Sequence, residues 1–199
     1  MATKKIRTAT GWADSGQHGF IRTASGWAEF GAAGGPTYEV IEWPTPPTLT
    51  DGNDAGQNYN LGLKWHLSGS GGQCVGVEWN PTPTSTATPA GGSFHAQLWN
   101  ADTESLLAGK SFVATPGGVQ QRIFFDTPID VVVGANYVST IYTIDYVFLS
   151  NTTWDEVSPS GRIHADTGRL RADNSGVPAF PPDSFNAIYF ISPIMVFTP

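Results

Sequence analysis

The side chains best suited to chemistry are scattered along this chain. His18, His66, His95 and His164 show no His-x-x-x-His or Glu-x-x-His spacing, by which one element offers two groups to a metal. His66 and His95 fall in strand-like stretches, where either can share a face with a carboxylate; an ordinary strand position accounts for both. No Gly-x-Ser-x-Gly elbow, P-loop or dinucleotide fingerprint occurs. The run DGNDAGQN, 51–58, sets Asp51, Asn53 and Asp54 around a glycine in the manner of a calcium loop. Its twelfth position is Gly62, which has no carboxylate to offer, and Asp- and Asn-rich turns explain the run without a metal.

Paired carboxylates are the remaining route to catalysis. Asp155 and Glu156 follow Trp154 in NTTWDEVSPSG. Glycoside hydrolysis needs two carboxyls facing each other across a sugar, whereas neighbours in an extended chain point to opposite sides. In a loop the three residues suit binding better: an indole covers the apolar face of a pyranose and the carboxylates accept its hydroxyl protons. Trp154, Asp155 and Glu156 are therefore the candidate ligand patch of a carbohydrate-binding adhesin, with a glycan hydrolase as the enzymatic alternative. The bland reading is a tryptophan anchoring a long loop. The sole cysteine, Cys74, allows no intrachain disulfide and no thiolate cluster, and reads as a buried thiol. No catalytic residue, metal or cofactor is expected.

The elements that must position these groups are strands. The 199 residues include 23 Gly and 15 Pro but only 14% charged side chains, a balance that favours strands and turns over helices. YNLGLKWHLS, 59–68, alternates Leu61, Leu63 and Trp65; CVGVEW, 74–79, alternates again; SFHAQLWN, 93–100, sets Phe94, Ala96 and Leu98 on one face. Only NADTESLLAGK, 100–110, admits a helical reading, and a hairpin suits it equally. Eight to ten short strands with turn residues between them predict an all-β chain, an antiparallel sandwich of jelly-roll type over 59–199. Trp65, Trp79 and Trp99 belong to its core or sheet faces, and Trp43, ahead of PTPP, caps a hinge and Pro-rich loop over 36–58.

Charge divides unevenly. Residues 1–35 carry four basic and two acidic side chains; the remainder carries six and fifteen. An acidic body repels nucleic acid and anionic lipid, so neither is an expected partner, while the basic end suits an acidic protein surface. The start, MATKKIRTAT, has no apolar run behind its lysines and does not read as a secretory signal.

Those first 35 residues write one phrase twice. KIRTATGWAD and FIRTASGWAE align Ile6 with Ile21, Arg7 with Arg22 and Trp12 with Trp27, separated by GQHG and followed by GAAGGP. Each copy reads as a short strand, a glycine turn and a tryptophan, too small to fold alone. The pattern predicts an attachment arm over 1–35 whose interface residues are Ile6, Arg7, Trp12, Ile21, Arg22 and Trp27, ordered when a partner covers its edges and indoles.

The phrase resembles short repeats in tail and other virion proteins of bacteriophages that infect actinobacteria. The body, from Leu61–Trp65 through Leu98, Trp99 and Leu106–Ala108 to Gln120, Gln121, Thr127–Ile129, Gly134, Tyr137 and Val138, is similar to a family of bacterial β-sandwich domains of unknown function. It departs in the hairpin, where the family's turn glycine has no counterpart, at Val119, where the family has Trp, and at TIDY after the tyrosine strand. These resemblances imply a virion structural protein, made in the host cytoplasm, anchored by its arm among other virion proteins as a homo-oligomer, a trimer by preference. They also imply an adhesive or accessory body, with a host-surface glycan as a further partner.

Overall fold

The computed structural model describes residues 5–8, 11–14, 20–23, 26–29, 38–43, 50–53, 57–79, 89, 91–115, 120–150, 157–172 and 175–197. Four short strands come first: β1 (Lys5–Thr8), β2 (Gly11–Asp14), β3 (Phe20–Thr23) and β4 (Gly26–Glu29). Then follow β5 (Tyr38–Glu39), β6 (Thr50–Asn53), β7 (Tyr59–Leu67), β8 (Gly72–Trp79), β9 (Phe94–Asn100) and β10 (Ser105–Phe112). The chain continues through β11 (Gln121–Val131), β12 (Asn136–Thr143), β13 (Asp145–Ser150), β14 (Ile163–Ala172), β15 (Asp183–Phe185), β16 (Ala187–Ile188) and β17 (Ile191–Val196). Among the described residues every regular element is a strand and every ladder antiparallel, as the composition predicts.

Two sheets dominate. The large one runs β10-β9-β12-β7-β14-β15 and the small one β11-β8-β17-β5; a third, β16-β13-β6, is hydrogen-bonded to neither but contributes Ala187 to the common core. One core draws on both: Leu61, Leu63 and Trp65 of β7, Ala96 and Leu98 of β9 and Ile141 of β12 share it with Val77 and Trp79 of β8 and Met195 of β17. This is a sandwich-like arrangement, in which each strand turns one alternate set of side chains inward. Removing a large aliphatic or aromatic side chain from water stabilises the fold by about 1.5–3 kcal/mol. Trp65 sits at the centre: it stacks on Tyr137 at 5.0 Å, and its indole N–H donates to Ser139 Oγ at 3.0 Å.

The stretch 100–110 resolves as the β9–β10 hairpin. Asn100 Oδ1 accepts the N–H groups of Asp102 and Thr103 at 2.9 and 3.0 Å, an Asx turn that would equally start a helix; here Ser105 and Leu106 pair back onto Asn100 and Trp99, so the chain reverses as a hairpin. Glu104 closes the hairpin with φ +56°, a left-handed conformation unusual for a residue with a Cβ. Gly134, at φ +89°, makes the turn into β12, where only glycine is unstrained.

The backbone of Asp51–Asn53 is not the turn expected for a calcium-like loop. It is extended against β13, with Asp51 opposite Val147 and Asn53 opposite Asp145, because β13 offers its backbone a ladder. Asp54 lies outside the described residues. Within the stretch 36–58, β5 pairs with β17, and the buried Ile41 N–H donates to Ser192 Oγ at 2.8 Å.

Candidate functional site

The outer face of the large sheet brings together three groups that are distant in sequence. Alternation along β7 turns Lys64 and His66 outward, and β14 lies beside it with His164 opposite His66. The two imidazoles stack at 5.0 Å, nearly parallel. Asp166 follows on β14, and its Oδ1 stands 2.9 Å from His66 Nδ1. A carboxylate can only accept, so the contact places a proton on His66 Nδ1, which donates to Asp166. Asp166 Oδ2 is buried with no hydrogen-bond partner.

His164 has a different companion. Its Nε2 is 3.0 Å from Ser68 Oγ, and Ser68 gives its own proton to the Gly161 carbonyl at 2.9 Å. The hydroxyl can then only accept from His164, so Nε2 carries the proton. The parts of a Ser-His-Asp relay are thus divided: the carboxylate orients one ring and the hydroxyl bonds the other. A shallow groove of about 480 Å3 beside them is lined by Lys64, His66, Asn136, Asp166 and Thr167 together with the Gly134–Ala135 turn. At its rim Asp102 accepts both the backbone and the side-chain N–H of Asn136 at 3.1 and 2.9 Å, bonds that hold its carboxyl below the usual range.

Farther along the same face the polar groups are covered. Asn60 Nδ2 donates to the Ala179 carbonyl at 2.7 Å and to Gln97 Oε1 at 3.3 Å, while Trp99 Nε1 donates to Thr140 Oγ1 at 3.2 Å. Phe180 lies edge-on to Trp99 and seals this network. Trp99 therefore packs on the outer face, whereas Trp65 and Trp79 lie in the core; Trp43 packs edge-on to Phe190. His95 shares a bond with Ser111 Oγ at 3.2 Å, and burial lowers its pKa.

The small sheet's outer face carries an ion pair. Arg122 Nε donates to Glu78 Oε2 at 2.7 Å, and the guanidinium lies 4.4 Å from the centre of the Tyr38 ring. Burial pushes the Glu78 carboxyl up and the Arg122 guanidinium down, each against what pairing alone does, so desolvation dominates here.

The repeated phrase forms two ribbons with one register. In β1–β2, Ile6 faces Ala13, Arg7 faces Trp12 and Thr8 faces Gly11; in β3–β4, Ile21 faces Ala28, Arg22 faces Trp27 and Thr23 faces Gly26. Trp154, Asp155, Glu156 and His18 lie outside the described residues. Among those residues no group of three His, Cys, Asp or Glu is arranged to hold a metal, and no helix is long and apolar enough to cross a membrane. Neither a protein-family model nor a curated protein matches the chain.

Sequence reasoning allowed His66 a carboxylate neighbour without naming it, and missed both the stack with His164 and the Glu78–Arg122 pair. All three depend on strand register between segments far apart in the chain, for which local pattern carries no signal.

Proposed function

We propose that this chain is a structural protein of a bacteriophage particle, attached through its N-terminal ribbons and displaying its body outward. The observation that carries this reading is the doubled ribbon: a ten-residue phrase written twice and paired in the same register both times. A two-stranded ribbon is marginal in water by itself and gains stability when a further strand or an apolar surface covers it. Repeating such a unit, with Gly-rich links on either side, suits an element meant to be held by another surface. The resemblance of the phrase to repeats of actinobacteriophage virion proteins supplies the setting.

In this reading residues 1–35 are the attachment arm, and the body is an antiparallel sandwich of jelly-roll kind. The body's role is non-enzymatic. Its acidic charge keeps it soluble and apart from nucleic acid, while the basic arm meets neighbouring subunits. The assembly in this reading is a closed homo-oligomer, a homotrimer by preference.

Complementation in trans tests the proposal. Particles assembled with the wild-type chain retain it through purification. The Trp12→Ala/Trp27→Ala chain, its body folded by circular dichroism, is left behind, since removing an interface indole costs several kcal/mol. Retention of the double variant at wild-type stoichiometry refutes the reading.

A further inference from the structure

The outer face of the small sheet is drier than an outer face should be. Val75, Ile194 and Val196 form a cluster there with Tyr38 and Val40, separate from the main core. Val75 is 1% exposed and Ile194 0%, and beside them the Glu78 side chain is only 5% exposed. An antiparallel sheet with one face on the core ordinarily shows water its other face, so burial this complete requires a cover. Phe124 carries the apolar strip out to the edge strand β11, where it is 37% exposed.

The element beyond that edge is the second ribbon. Cα atoms of β3 come within 8 Å of β11, yet β3 pairs only with β4 and does not extend the small sheet. The cover is therefore laid on the face or against its edge, not added as a strand. Its tether is long enough: eight residues, 30–37, separate β4 from β5 and span up to roughly 28 Å when extended. The path from β5 across to β11 is three strand spacings, about 14 Å. The ribbon's sequence, FIRTASGWAE, is rich enough in apolar residues, with Phe20, Ile21 and Trp27, to serve as a cover.

We infer that the outer face of the small sheet, from Tyr38 and Val40 across Val75 and Ile194 to Phe124, is the docking site for the second repeat ribbon, Phe20–Glu29, of the same chain. The ribbon is a strap closed over its own body. The first ribbon, of matching sequence and register, is then the one left to engage a neighbour, which divides the arm into a fixed half and a connecting half. This goes beyond the attachment reading and does not depend on it, because the strap is a property of the isolated chain.

Paramagnetic broadening on the purified full-length chain tests it. A nitroxide is attached at Ser25→Cys, beside β3; Cys74 does not compete, being buried with its thiol pushed up to about 12. The result expected is a severalfold loss of intensity at the amides of Arg122 and Phe124 when label and isotope are on one chain. In a mixture of labelled, unenriched chains with unlabelled, enriched ones, those amides keep their intensity. A label at Thr10→Cys, on the first ribbon, leaves β11 unaffected. Phe124→Asp, with the dispersed body signals retained, abolishes the broadening; if that variant unfolds, the same-chain and mixed samples decide by themselves. Unaffected β11 amides with the Ser25 label, broadening confined to the mixture, or equal broadening from Thr10 overturns the inference.

Discussion

Replacing Arg122 by alanine leaves the Glu78 carboxylate, 5% exposed, without its cation. Breaking a fully buried pair from one side costs about 3–5 kcal/mol. Arg122 is itself 33% exposed, so water relieves part of this, and about 2–3 kcal/mol is the expected loss at pH 8. At about 2–4 °C per kcal/mol for a chain of this size, the midpoint falls by roughly 4–12 °C. The pH dependence identifies the cause. Burial holds the folded pKa of Glu78 above its unfolded value, so the stability linked to its protonated form is fully present below that unfolded value, near 4.5, and is lost as pH rises through the folded pKa. Without Arg122 the folded pKa moves higher still, which enlarges the loss at pH 8 and leaves it unchanged below pH 4.5. The gap between variant and wild type should therefore narrow on acidification, to the roughly 1 kcal/mol that lost packing and the Tyr38 contact account for. Urea titrations of both proteins between pH 4 and 8 measure it. A gap that is constant with pH, or below about 0.5 kcal/mol at pH 8, refutes the reasoning.

Three further outcomes follow from the packing. Glu104→Gly relieves a left-handed backbone that costs a residue with a Cβ about 1–2 kcal/mol; set against glycine's extra unfolded-state entropy, the net gain is about 0.5–1 kcal/mol in urea unfolding. Ser139→Ala strands the buried Trp65 N–H and costs about 1–3 kcal/mol, and in the Trp65→Phe background the same change costs distinctly less, so a double-mutant cycle reveals the bond. Cys74, its thiol pushed up to about 12 by burial, stays unreactive toward a thiol reagent at pH 8 in the folded chain and reacts at the rate of unfolding, read by absorbance.

The fold was legible where strands alternate without interruption. β7 and β9 place Leu61, Leu63, Trp65, Ala96 and Leu98 inward just as their spacing requires. β8 was less so. A strict alternation of CVGVEW puts Val75 with Val77 and Trp79, but Ile194 faces Gly76 and Met195 faces Cys74, so the strand bulges at Val75. The bulge turns Cys74 into the core and Val75 to the opposite face, creating the apolar cluster on which the strap inference rests. Gly76 is what permits the close passage of β11: a Cβ there would meet the Ile123 carbonyl oxygen at 2.3 Å. The stacked His66 and His164 were beyond reach for another reason. The register of β14 on β7 is set by inward residues such as Ile163 and Ala165, and which outward side chains then meet is a by-product of that packing. The repeated phrase is the opposite case: the repeat was visible in sequence, and a common register is what two ribbons differing only at Lys5/Phe20, Thr10/Ser25 and Asp14/Glu29 are expected to share.

Imaging the intact particle at side-chain detail tests the attachment claim most directly. The expected density places Lys5–Asp14 against a subunit other than its own body, Trp12 covered by that neighbour, and the acidic body projecting away from the particle. Particles that lack the chain, or a first ribbon lying free in solvent while the body makes the contacts, contradict it.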